Sequence, residues 1–230
     1  LKIMPSQPGR IGQPERQPIL NAPPLAVVLA LSMPALYILQ ERMPDLARQG
    51  AFYTRDLDEG RWTGLFTAML LHQGWAHVAM NALGALTFAA PVARLMQGGR
   101  GVAAFLFLYV LCGVMAALGF GLVHRGEDIG MVGASGAVFG LIGASTRLIG
   151  TRGWVRSLFD RQVLTMAAAW MAVNAAFGLI GFAPGAGGAA IAWEAHAFGF
   201  VTGILVIGPL GRMFTRDMFA SGPDLSDPVG

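Results

Sequence analysis

Apolar and polar positions alternate along the chain in blocks, not residue by residue. Six apolar stretches read as membrane helices: about Pro24–Gln40, Ala76–Met96, Gly101–Val123, Ser135–Ile149, Val163–Phe182 and Trp193–Leu210. The pattern predicts an all-α fold, a polytopic six-helix transmembrane bundle spanning 24–211. The flanks differ in composition. Residues 1–23 are polar and proline-rich, and 212–230 are polar again, so both are expected to be disordered tails. No apolar region with a small-residue cleavage site follows the first tail closely, so no removable signal peptide is expected. Pro34 should bend the first span, which membrane helices tolerate.

Two stretches depart from a simple span. From Trp62 to Ala93 there are 32 residues without a charge, whereas one span needs about 20. His72, Gln73 and Gly74 divide this run, so Trp62–Leu71 is expected to lie along the membrane interface, where Trp62 and Trp75 are well suited. The fourth stretch has only about 15 residues, or about 22 Å at 1.5 Å per residue. That falls short of a hydrocarbon layer about 30 Å thick. With Arg147 and Arg152 at one surface, Ser135 must lie below the other. The loop before it is then irregular backbone inside the membrane, which needs protein or a water-filled cavity around it. The connection Glu41–Arg61 is long and of mixed charge, and loops of that length are usually functional.

Composition agrees with this. The chain is 54% hydrophobic and 13% charged, against roughly 25% charged in soluble domains. Its net charge of +3 forms no nucleic-acid patch but carries a topology signal. Eleven Lys and Arg fall on the side of the two termini and five on the other, so the termini are expected in the cytoplasm, across a membrane of the bacterial inner type. The single Cys112 lies mid-span and excludes a disulfide framework.

The chemistry centres on residues 130–143, a charge-free stretch with five glycines and Ser135 between Gly133 and Gly136. Ser135 stands where a glycine loop enters an apolar helix, beside free N–H groups and the positive dipole end. Such groups stabilise an oxyanion. The plain alternative is a small-residue packing helix with Ser135 as its N-cap. Other polar residues at membrane depth are functional candidates by default. His77 and Asn81 are four apart and share a helix face. His196 shares a face with Gly199 and Gly203, which matches the glycine face of Gly136, Gly140 and Gly143. The helices bearing Ser135 and His196 can therefore pack tightly. A serine hydroxyl is a weak nucleophile until a neighbouring base takes its proton, and His196 is the candidate base. His77, Asn81 and the Ser135 N–H are candidate oxyanion donors. Glu194 lies on another face, so the expected unit is a dyad, with Phe139 packed on the His196 ring. A metal site from His72, His77 and His196 is disfavoured by the five-residue spacing and the lack of His-Glu-x-x-His. No metal or other cofactor is expected. His72 reads as a structural interfacial residue, His124 as solvated, and Trp154, Trp170 and Trp193 as anchors or packing residues.

These motifs resemble the rhomboid family of intramembrane serine proteases. Gly133-Ala134-Ser135-Gly136 is similar to the family's Gly-x-Ser-Gly motif, His77-x-x-x-Asn81 to its His-x-x-x-Asn motif, and Ala195-His196-x-x-Gly199-x-x-x-Gly203 to its histidine motif. The likeness covers about Trp62 to Gly211. It implies cleavage of transmembrane segments of other proteins within the lipid bilayer, with Ser135 as nucleophile, His196 as base and His77 and Asn81 as oxyanion donors. It also implies that the first long loop lies partly in the bilayer and that 183–192 caps the site. Three departures stand out. The family's Trp-Arg pair is reversed as Arg61-Trp62, its glutamate at the end of the second span is Ala93, and its frequent tyrosine is Phe139. The alternatives are an inactive rhomboid-like protein that binds membrane clients and a small transporter. Intact Ser135 and His196 argue against the first, and the absence of paired repeats against the second.

Overall fold

In the computed structural model, which describes residues 22–151, 153–180 and 192–220, helices dominate. Among these residues five helices are long and apolar enough to cross a bilayer. They are α1 (Pro24–Arg42), α5 (Trp75–Leu95), α6 (Gly98–Val123), α8 (Arg161–Ile180) and α9 (Trp193–Ala220). The sixth apolar helix, α7 (Ser135–Thr146), is shorter, with 12 residues. Large apolar side chains face outward along the spans, including Val28, Leu83, Phe107 and Leu179. That is the surface expected where lipid is the solvent.

α7 is the hub, touching α5, α6, α8 and α9. Every residue in it is buried except Ser135 and Phe139. Its glycines are the reason it can sit there. A Cβ at Gly199 would fall on the Gly136 carbonyl, and one at Gly203 on the Gly140 carbonyl. The backbones of α7 and α9 thus touch directly, as the paired glycine faces predict. On the α6 side, Gly136 meets Ala116 and Gly140 meets Cys112, which is buried and acts as a small apolar residue. Towards α5, Ser145 donates to the Phe88 carbonyl at 2.7 Å.

The expected boundaries are corrected at three places. α7 stops at Thr146, not Ile149. Gly150, at φ +75°, turns the chain, and the Arg147 guanidinium donates to the Arg156 and Ile204 carbonyls, pinning that turn to α9. α9 runs on to Ala220, so 212–220 is helical and not disordered tail. The first long loop is also structured. It holds α2 (Pro44–Gly50), β1 (Phe52–Tyr53) and α3 (Arg55–Asp58), followed by α4 (Gly64–Thr67) and a 3₁₀ turn at Ala68–Leu70 within the expected interfacial segment. β1 pairs antiparallel with β2 (Gly130–Met131), Phe52 opposite Met131 and Tyr53 opposite Gly130. The expected capping loop at 183–192 lies outside the described residues except for Ala192, as do residues 1–21 and 221–230.

Candidate active site

The approach to α7 sets the site. Gly133 has φ +135°, a conformation that side chains rarely adopt, and its N–H donates to the Ala68 carbonyl at 2.9 Å. The β1–β2 pair holds the same loop from the other side, with Thr54 donating to the Glu127 carbonyl. The loop is therefore irregular backbone enclosed by protein. α7 begins at Ser135 itself, and Ala134 at its N-cap makes no side-chain cap. The first N–H to turn back into the helix is that of Val138, which bonds the Ala134 carbonyl at 2.9 Å. The N–H groups of Ser135, Gly136 and Ala137 are left at the helix start, with the positive end of the dipole. The capping alternative for Ser135 is thus not what the hydroxyl does.

Ser135 Oγ and His196 Nε2 are 2.9 Å apart. Phe139, one turn after Ser135, lies flat on the imidazole, with centroids at 4.2 Å and planes 4° apart. The two part-exposed residues of α7 are thus the two that touch His196. His77 enters from α5. A Cβ on Gly133 would stand 2.7 Å from His77 Cε1, 2.9 Å from His77 Nε2 and 3.6 Å from Ser135 Oγ. Only a glycine lets the imidazole and the serine approach the same backbone. His77 Nδ1 accepts the Gln73 N–H at 3.4 Å, which leaves the proton on Nε2, the nitrogen facing this loop. Asn81 lies one turn further along α5 and is buried; no partner meets its Nδ2 among the described residues.

One expectation about a neighbouring residue changes. His124 is not simply solvated. It sits between Glu127 and Glu194, at 3.1 and 3.4 Å, and ties the end of α6 to the start of α9. His72 is 1% exposed, and its backbone is held by both ends of the Gln40 amide, at 2.7 and 2.8 Å. Its ring meets His77 edge-on at 5.3 Å. Ala93 is packed in an apolar cluster with Val92, Phe105 and Leu108, where no hydrogen bond is called for.

Asn174 on α8 was missed in the sequence. Its Oδ1 lies 3.0 Å from His196 Nδ1. The signal existed: a lone asparagine inside the fifth span is a polar group at membrane depth, just as Asn81 is in the second.

A family profile for the rhomboid domain matches residues 59–213. YdcA of Bacillus subtilis (strain 168) is 36% identical over 91 residues, covering 40% of this chain and 43% of its own length. The rhomboid protease GluP of the same organism is 30% identical over 120 residues, 52% of this chain and 22% of GluP. RHOMBOID-like protein 9, chloroplastic, of Arabidopsis thaliana is 36% identical over 85 residues, 37% of this chain and 18% of that protein. The matched regions cover less than half the length of each relative.

Proposed function

The chain belongs to the rhomboid family, and from that premise we propose that it is an intramembrane serine endopeptidase working through Ser135 and His196. The reading rests on one observation above all, the 2.9 Å contact between Ser135 Oγ and His196 Nε2 at the start of α7. In this mechanism Nε2 takes the hydroxyl proton as Oγ attacks the carbonyl of a peptide bond. The developing oxyanion meets the Ser135 N–H, His77 Nε2–H and Asn81 Nδ2. His196 then passes its proton to the leaving amine, and water hydrolyses the acyl-enzyme by the same steps. No metal or cofactor takes part. An inactive client-binding protein would have no use for a hydroxyl and an imidazole held at this distance with the ring clamped flat.

The substrates are transmembrane segments of other proteins. Helical backbone is already hydrogen-bonded, so a client must unwind locally to offer its peptide bond. Gly or Pro in the spanning segment lowers that cost. The protein sits in a bacterial inner membrane with both termini cytoplasmic.

Ser135→Ala and His196→Ala, purified and given a model transmembrane substrate, should each abolish cleavage. The double variant should be no worse, because the two act as one unit. A serine-reactive phosphonate should label the unaltered protein at Ser135 alone. Cleavage persisting in purified Ser135→Ala would overturn the reading.

A further inference from the structure

We propose that Asn174 is the positioning residue for His196, selecting the imidazole tautomer in which Nε2 is free to act as base. The inference rests on the reading of Ser135 and His196 as nucleophile and base. It starts from a weakly embedded helix. Along α8 only Val163 and Asn174 are buried, yet Asn174 is 2% exposed. Gly178, one turn later, seats α8 against α9, since a Cβ there would strike the Trp193 ring. That contact delivers the Asn174 amide to the first turn of α9.

The amide is used at both ends. Nδ2 donates to the Trp193 carbonyl at 2.8 Å, and Oδ1 faces His196 Nδ1 at 3.0 Å. Turning the amide over would set Oδ1 against the Trp193 carbonyl, two acceptors within hydrogen-bond distance. The Trp193 carbonyl therefore fixes which way the amide points. With Oδ1 facing the ring, Nδ1 must carry the proton and donate it. Nε2 then presents its lone pair to Ser135 Oγ, 2.9 Å away. The hydrogen bond at one ring nitrogen decides the state of the other. Phe139 cannot do this. Stacked flat on the ring, it holds the plane but does not distinguish Nδ1 from Nε2. The work that a carboxylate does in a Ser-His-Asp triad falls here to a neutral amide, which explains how the site functions with Glu194 turned towards His124.

The test uses the full-length protein in detergent or lipid, with 15N-labelled histidine. At neutral pH the His196 resonances, assigned by their loss in His196→Ala, should show a protonated Nδ1 and an unprotonated Nε2. A protonated Nε2 in the unaltered protein overturns the proposal, whatever the activity. Asn174→Ala should lose the Nδ1–H preference and lower kcat about 10–100-fold, the scale on which outer partners of a functional histidine matter at metal sites. KM should hardly move. Asn174→Asp, which keeps an acceptor facing Nδ1 but loses the donor to the Trp193 carbonyl, should retain the tautomer and recover part of the rate at a lower melting temperature. Unchanged tautomer and kcat in Asn174→Ala overturn the proposal. Should the serine-protease reading itself fail, Ser135→Ala would still cleave, while the tautomer measurement would remain decisive for Asn174.

Discussion

Asn81 is the residue at which stability and catalysis make opposite predictions. Its Nδ2 is buried without a partner among the described residues. An unsatisfied buried donor costs about 1–3 kcal/mol, so the folded protein loses by keeping it. A donor reserved for the oxyanion recovers that cost only as charge develops. Asn81→Ala should therefore lower kcat by up to about 10²–10³-fold, leave KM nearly unchanged and not lower the melting temperature. An asparagine whose main work is to bond helices together would behave otherwise, with a lower melting temperature and near-normal kcat in the folded fraction. Measuring both quantities on one purified sample decides between them. At this scale the residues that meet at the candidate site were largely legible. Ser135, His196, His77, Asn81 and Phe139 announce themselves as polar or aromatic groups at helical spacing in apolar runs. Asn174 obeyed the same rule but had no motif neighbour to draw attention to it, and only the docking of α8 on Trp193 shows which ring nitrogen it reaches.

Between elements, glycine carries the geometry. The α7–α9 contact is backbone on backbone, so a single methyl group cannot be absorbed by a side chain moving aside. Gly203→Ala would meet the Gly140 carbonyl and Gly199→Ala the Gly136 carbonyl. Each should destabilise the protein by about 1–3 kcal/mol, the usual cost of overpacking. Each should also reduce activity, because the helices that must separate carry Ser135 and His196. Gly99→Ala is the control. Nothing lies within 4 Å of a Cβ there, and the position is in the first turn of α6, so stability and cleavage should be unchanged. Thermal melting beside a cleavage assay reads both effects. If Gly203→Ala melts and cleaves like the unaltered protein, close backbone contact is not what holds the pair together.

For the molecule in its membrane, the testable quantity is orientation. The five Lys and Arg on the side opposite the termini are Arg42, Arg48, Arg55, Arg61 and Arg125. Several are spent on local pairs: Arg55 with Asp128, Arg125 with Asp58, and Arg61 with Asp56 and Glu59. These pairs mostly join the first loop to the loop before β2 or brace the first loop itself. Arg55–Asp128 and Arg125–Asp58 are exposed pairs and add little stability, whereas Asp56 is buried; with cytoplasmic termini these cations would lie on the side where the positive-inside rule expects few. Cysteine at Glu127, beyond the end of α6, should react with an impermeant reagent added outside intact cells. Cysteine at Gln97, before its start, should react only after the cells are opened. Cys112 is buried and should stay silent. The reverse pattern would refute cytoplasmic termini.

The sequence alone determined the parts whose cause is local. Long uncharged runs dictate membrane helices because lipid offers no partner for charge or bare backbone. The fourth run is short in the sequence and α7 is short in the fold, and matching glycine faces dictate which helices touch. Tertiary structure decided what depends on distant groups meeting. The end of α7 at Thr146 follows from Arg147 reaching the Ile204 carbonyl, 57 positions away in sequence. The order in the first long loop follows from β1 finding β2 and Thr54 finding the Glu127 carbonyl, contacts that no composition of a polar loop foretells. The place of His124 between two carboxylates and the orientation of the His196 ring by Asn174 are of the same kind. In each, a side chain's role is fixed by a partner from another element, and sequence spacing carries no record of that distance.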